Sequence, residues 1–203
     1  MEVSKRKGVI TLDPAEPLWG QVFMVSPLVI IGTREEGEEY DLAPKHMVMP
    51  LSWENHLGFV CTPRHRTYQN IAREGAFTAS YLRPDQVLEA SLAAAPRCGE
   101  NDAKPSLSAI STLSAETIDG VFVDNGYLYL ECELDRIVDD LGENSLIIGR
   151  IVAAHIHEGS LRRADRDDQD LIHGAPLLAY LHPGRFASID ATRSFPFPAG
   201  MKK

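Results

Sequence analysis

PLVIIGTREEGEEYDLAPKHMVMPLS, residues 27–52, holds three different patterns in 26 positions. Residues 27–33 are a short β-branched run, and the polar stretch that follows is centred on Gly37. That order predicts a strand entering a hairpin. A second apolar stretch, 47–51, comes after LAPKH, and a third, LGFVCT at 57–62, after the polar WEN. Together they predict an opening β-meander.

Working outward, the hydroxyl of Thr67 is suited to cap a helix over TYQNIARE, and Gly75 fits the left-handed residue that ends one. AFTASY (76–81) returns to strand pattern. Pro84 opens a second helix, PDQVLEASLAAA, with Val87, Leu88, Ser91, Leu92 and Ala95 on one face. Residues 96–114 carry Pro, Gly, Asn and Ser without apolar periodicity and read as a long surface loop. Residues 121–123 and 127–134 flank Asn125-Gly126, the pair best able to adopt positive φ, and predict a tight hairpin. A long strand follows at 146–156. RRADRDDQD (162–170) reads as a solvated loop, PLLAYL and RFASI as strands, and SFPFPAGMKK as an irregular tail. Six or more strands, two short helices and no internal repeat or linker describe one mainly β, barrel-like domain over residues 1–203.

The chain has 29 acidic against 20 basic residues, a formal net charge of -9. Both signs are spread along it, which argues against a nucleic-acid surface and for small-molecule or protein partners. No apolar run approaches the roughly 20 residues of a membrane span, and the start lacks a secretion signal's apolar stretch, so a cytoplasmic location is expected. Cys61, Cys98 and Cys132 are odd in number, far apart and without a CxxC, and read as reduced thiols.

Three familiar motifs fail. Gly32 and Gly37 have phosphate-loop spacing, but Glu38 and Glu39 stand where Lys and Ser or Thr are needed. There is no GxGxxG, so a nicotinamide cofactor would not be held by a Rossmann unit. His155 and His157 alternate as metal-binding histidines do in cupins, yet Leu161 and Arg162 occupy the positions where a carboxylate should follow. No metal is expected.

Read together, PLVIIGT with its hairpin, YDLAPKHMVMPLS, TYQNIAREGAFTASYL and the later runs YLYLECELDRIV, LIIGRIVAAHIHEG and APLLAYLHPGRFASI resemble the flavin reductase-like family, nearest to its flavoredoxin-like members. The resemblance runs from about residue 20 to the C-terminus. It implies an antiparallel, Greek-key FMN-binding split β-barrel with a few short helices, acting as a homodimer with flavin in grooves completed by the second subunit. Asp41 stands where the subgroup usually has Asn, and Lys45 and His46 where an aromatic and a Ser are common. The GDH triplet of short-chain members appears as Gly142, Glu143 and Asn144. Its histidine is associated with nicotinamide and flavin handling, and Asn cannot exchange a proton near neutral pH.

For the cofactor, the resemblance assigns Asp41, Leu42, Ala43, Pro44, Lys45 and His46 to the flavin ring and ribityl chain. A phosphate subsite has its own physical rationale: Arg64, Arg66 and Thr67 converge on a helix start, where free N–H groups and the dipole favour an anion, with Asn70 one turn on. The bland alternative makes the arginines solvated charges and Thr67 a cap only. FMN is the expected cofactor, with NADH or NADPH as reductant and a small-molecule or protein electron acceptor. Two functions compete: an FMN-dependent oxidoreductase, and a flavin-binding electron carrier or store.

Overall fold

The computed structural model describes residues 7–99, 102–198 and 200–201. Parts of the start, the 96–114 loop and the C-terminal tail read above lie outside those residues. In chain order the strands are β1 (Met24–Pro27), β2 (Val29–Arg34), β3 (Tyr40–Lys45), β4 (Val48–Ser52), β5 (His56–Cys61), β6 (Ala76–Tyr81), β7 (Thr112–Ser114), β8 (Val121–Val123), β9 (Leu128–Leu141), β10 (Asn144–Ile156), β11 (Leu177–His182) and β12 (Arg185–Ile189). The helices are α1 (Arg66–Glu74), α2 (Val87–Ala93) and α3 (Asp168–Gly174).

Seven strands form one antiparallel sheet in the order β3-β2-β6-β9-β10-β5-β4. β3 and β4 are therefore its two edges, although only His46 and Met47 separate them in sequence. Three peptide units reach at most about 11 Å, so the sheet must curl until its edges meet at this corner. The result is a split barrel. The expected meander is corrected accordingly: β2 pairs with β3 and β4 with β5, but the two hairpins sit at opposite edges.

β2 explains why its sequence is apolar throughout. Val29 and Ile31 join the barrel interior with Phe59, Phe77, Ile147 and Ile71 of α1. Ile30 faces the other way, into a second core with Leu42, Leu82, Val123 and two alanines of α2. A strand buried on both faces loses the apolar-polar alternation. Gly32 lets another segment pass close by, since a Cβ there would lie 2.4 Å from Thr78 Oγ1 and 2.5 Å from the Val121 carbonyl oxygen.

Turn chemistry held where partner choice did not. Asn125 has φ 62°, as an Asn-Gly turn requires, but β8 pairs with β7 and not with β9. The loop expected over 96–114 thus contains β7 and a 3₁₀ turn, Pro105–Ala109. The buried residues of α2 are Ala90 and Ala93, while Leu88, expected inward, is exposed. Part of RRADRDDQD is helical, because the Asp167 carboxylate accepts from the Gln169 N–H and caps α3. β1, which no sequence pattern suggested, joins β11 and β12 in a separate three-stranded sheet.

Burial pushes the thiols of Cys61 and Cys132 up, the latter to about 12. Both are unreactive core groups, whereas Cys98 is exposed. His155 and His157 have separate tasks. His155 Nε2 lies 3.1 Å from Glu131 Oε1, and His157 Nδ1 accepts from the Gly159 N–H at 3.2 Å. Glu131 is fully buried and accepts from the N–H groups of Glu116, Thr117 and Ile118 at 3.0, 2.7 and 2.9 Å. It holds residues 116–118 against β9.

Candidate functional site

Alternation along the edge strand β3 sends Asp41, Ala43 and Lys45 toward one side and Leu42 toward the other. On the first side lies an open cleft of about 740 Å³. Asp41, Ala43, Pro44 and Lys45 form one wall, and Arg64, Arg66 and Thr67 at the start of α1 form the opposite one. Two segments, 41–45 and 64–67, 19 positions apart in sequence, therefore line one cavity. Arg97 and Lys104, from the segment after α2, complete the lining.

Those last two residues were invisible in the sequence. Arg97 Nη2 lies 2.9 Å from Asp41 Oδ1 and also pairs with Glu35. Lys104 Nζ is 3.3 Å from the same Asp41 oxygen and donates to the Leu42 carbonyl at 2.7 Å. Asp41 is almost wholly buried, so two cations are what make its charge tolerable. Burial lowers the pKa of Lys104, with Asp41 opposing that effect. For Arg97 the balance goes the other way: burial would lower its pKa, yet Asp41 and Glu35 hold it above the ordinary value. The cleft's lining contains Lys45, Arg64, Arg66, Arg97 and Lys104 against only Asp41 and Asp102. The charged residues of its lining therefore carry an excess of positive charge.

At the start of α1 the structure corrects the assignment of the cap. The N-cap residue is His65, in extended conformation, and no side chain makes a capping hydrogen bond. Thr67 lies inside the first turn, with its side chain buried. No side-chain oxygen therefore caps the first turn, in which the Tyr68 N–H donates to the His65 carbonyl at 3.0 Å. Gly75, at φ 69°, ends the helix as expected.

Both arginines are held, but weakly. Arg64 Nη2 meets Glu143 Oε2 at 2.9 Å, and Arg66 Nε meets Asp102 Oδ2 at 3.3 Å, with all four side chains a third or more exposed. Pairs of that kind are worth about 0–1 kcal/mol, so a phosphate can replace the carboxylates at small cost. Glu143 and Asn144 sit at the β9–β10 hairpin tip, where Leu141 pairs with Asn144. The triplet that departs from the family pattern is therefore next to Arg64.

Three of the sequence-predicted residues do not line this cleft. Leu42 packs in the second core. The Asn70 Nδ2 donates to Thr33 Oγ1 at 3.0 Å, tying α1 to β2, and its buried Oδ1 has no partner among the described residues. His46 stacks on His182 with centroids 5.3 Å apart and planes 14° apart, and Tyr180 is 5.0 Å away. Burial first, then His182 and Lys45, lower its pKa, which keeps it neutral near pH 7.

Residues 21–189 match the family described as "Flavin reductase like domain". No curated protein matches the sequence. Among solved structures, nitrilotriacetate monooxygenase component B from Bacillus cereus superposes with a TM-score of 0.77 at 16% identity, over 94% of this chain and 100% of that one. Flavoredoxin from Methanosarcina acetivorans gives 0.74 at 17% identity, over 95% and 97%. FMN-binding protein from Thermus thermophilus, with bound 1-cyclohex-2-enone, gives 0.72 at 18% identity, over 93% and 99%. With the family match covering most of its length and the split barrel common to these structures, the chain belongs to the flavin reductase-like family.

Proposed function

We propose that this protein binds FMN in the cleft between β3 and the start of α1 and acts as an oxidoreductase, passing hydride or electrons from a reductant such as NADH or NADPH to a small-molecule or protein acceptor. The observation that carries this reading is the convergence of Asp41–Lys45 and Arg64–Thr67 on one cation-lined cavity. The residues suit the cofactor. Arg66, Arg64 and the uncapped turn of α1 are placed for a dianionic phosphate. Pro44 stiffens the strand end beside which a planar ring would lie. Bound flavin supplies the redox chemistry; the chain supplies orientation, charge and shelter.

The test is titration of flavin-free protein with FMN. Arg66→Ala with Thr67→Ala should weaken binding at least tenfold, about 1.4 kcal/mol. Unchanged affinity would put the phosphate elsewhere.

A second reading, a flavin carrier or store, is favoured by one feature. Asn144 stands at the hairpin tip beside Arg64 where the family pattern has a titrating histidine, and His155 and His157 are bound to other partners. Purified protein should be yellow under either reading, and bleaching by NADH or NADPH selects the enzyme. We also take residues 1–203 as one domain of a cytoplasmic homodimer, its groove completed by the second subunit. Support for the dimer comes from Met49 and Leu51 on edge strand β4 and Trp53 in the turn after it, all apolar and exposed.

A further inference from the structure

The three-stranded sheet β1-β11-β12 stands apart from the barrel sheet. On one face of β11, Leu178, Tyr180 and His182 follow one another by alternation, and the attachment to the barrel changes character along them. At one end Leu178 is buried in the second core with Ile30 and Leu42. At the other, His46 of the β3–β4 corner stacks on His182 with planes 14° apart, and its centroid lies 5.0 Å from that of Tyr180. Tyr180 and His182 are themselves 6.3 Å apart, so three rings close this end. His46 Nε2 and His182 Nδ1 are buried there, and neither has a hydrogen-bond partner among the described residues.

We propose that the His46–His182 stack is an acid-sensitive joint: protonation of the imidazoles parts the rings and frees the His182 end of the outer sheet from the barrel corner, while the Leu178 end stays seated. The proposal is independent of the flavin reading. Its chemistry follows from what surrounds the rings. A neutral imidazole can leave one nitrogen unpaired in an apolar contact at modest cost, but an imidazolium there is a buried charged donor without an acceptor, which costs far more. Two charged rings in contact also repel each other. The groups facing the pair are Lys45, the residue before His46, and Tyr180, and β1 offers no titratable side chain. Arg185 of β12 pairs with Leu181 and so alternates to the opposite face. From β5, the Cys61 thiol meets Lys45. None of these groups is a carboxylate that could offset the new charge, and Lys45 adds to it. Burial first, then His182 and Lys45, hold the folded pKa of His46 below its ordinary 6.5, so the unfolded or parted state takes the proton first. The joint is thus firm above 6.5 and weakens as pH falls from there toward the folded value.

The experiment follows backbone hydrogen exchange of the full chain at about pH 8 and about pH 5, the span over which histidines change charge, with rates normalised to those of unfolded peptide. Residues 180–189 should exchange about tenfold faster in acid, the signature of local opening. Residues 29–34 and 76–81 of the barrel should stay protected. His46→Phe keeps a ring in the contact without the charge and should remove the acid step, and His46→Lys should exchange fast at both pH values. Glu131→Gln should keep the step, because that carboxyl holds its charge down past 4.5. If the His46 variants do not fold, NMR titration of the wild-type imidazoles decides: His46 should titrate below 6.5, with the same midpoint as the exchange step. An acid step that persists in His46→Phe, the lack of one in the wild type, or an imidazole midpoint away from that of exchange would overturn the joint.

Discussion

Arg97 reaches back across 56 positions of sequence to place Nη2 2.9 Å from Oδ1 of Asp41, so that the segment after α2 is fastened to the free edge of β3 by an ion pair at the cleft wall. Lys104 is the second anchor. Removing one partner of a buried charge costs more than the pair itself contributes.

Arg97→Ala should therefore destabilise the fold by about 1–3 kcal/mol, the cost of leaving a buried polar group short of a partner, because among the described residues Asp41 keeps only the Lys104 ion pair. Asp41→Asn, which removes the charge and keeps the acceptor, should cost less. Urea denaturation of both variants checks the order, and a larger loss in Asp41→Asn would mean that the cations, not the carboxylate, are the stranded groups.

Gly149 lies under the ring of Phe77. A Cβ at that position would come within 2.5 Å of the Phe77 Cζ. Gly149→Ala should cost about 1–3 kcal/mol through overpacking, and the cost should shrink in a Phe77→Leu background. A double-mutant cycle with no coupling between the two positions would contradict this packing account.

Glu131 makes stability depend on pH. Burial alone would raise its pKa, but the N–H groups of Glu116, Ile118 and Thr117, helped by His155, hold it below the ordinary value of 4.5. A carboxyl depressed in the folded state adds stability above its unfolded pKa and loses it as pH falls through the folded value. Glu131→Gln should be less stable than wild type by about 1–3 kcal/mol at neutral pH. The gap should narrow steadily as the pH drops below 4.5. Unfolding curves at both extremes read it directly, and a gap that widens in acid would reverse the assigned sign.

Reduction of bound flavin by NADH or NADPH should be slow, because Asn144 cannot supply a titrating proton and no Rossmann unit holds the dinucleotide. His157 accepts a hydrogen bond from Gly159, so His157→Ala should leave the rate unchanged. Anaerobic stopped-flow bleaching measures both. Complete reduction within about a second would sink the slow-reduction argument, which rests on the absence of acid–base assistance.

The proposed dimer places Met49 and Leu51 at the subunit contact. Leu51→Lys with Met49→Lys should shift light scattering at micromolar concentration toward the monomer mass without loss of fold. A wild-type monomer at that concentration would dispose of the dimer altogether.

How far the sequence reads depends on whether a feature is decided locally. β2 is legible because its apolar run is buried on both faces, and β10 because its long apolar run lies between two strand neighbours with Ile147 and Gly149 turned inward; the 41–45 and 64–67 segments carry their own strand end and helix start. Asn125-Gly126 shows the limit: two residues set φ, but whether β8 pairs with β9 or β7 is decided by long-range packing. α3 was hidden by its charge, and the signal that could have revealed it was the Asp167 cap two residues before Gln169. Arg97 and Lys104 were unreadable for a related reason. Nothing near them in sequence names Asp41 as their partner.

The two-residue link between β3 and β4 has a consequence for how the barrel can fail. Its seam is fixed by chain length at the His46–Met47 corner and needs no ladder of hydrogen bonds there, so the margins can loosen along their length yet cannot drift apart at that end. The corner acts as a hinge pin. Flexing of the split would then widen the mouth of the cleft beside β3 while the pinned end, where His46 rests on His182, stays in place.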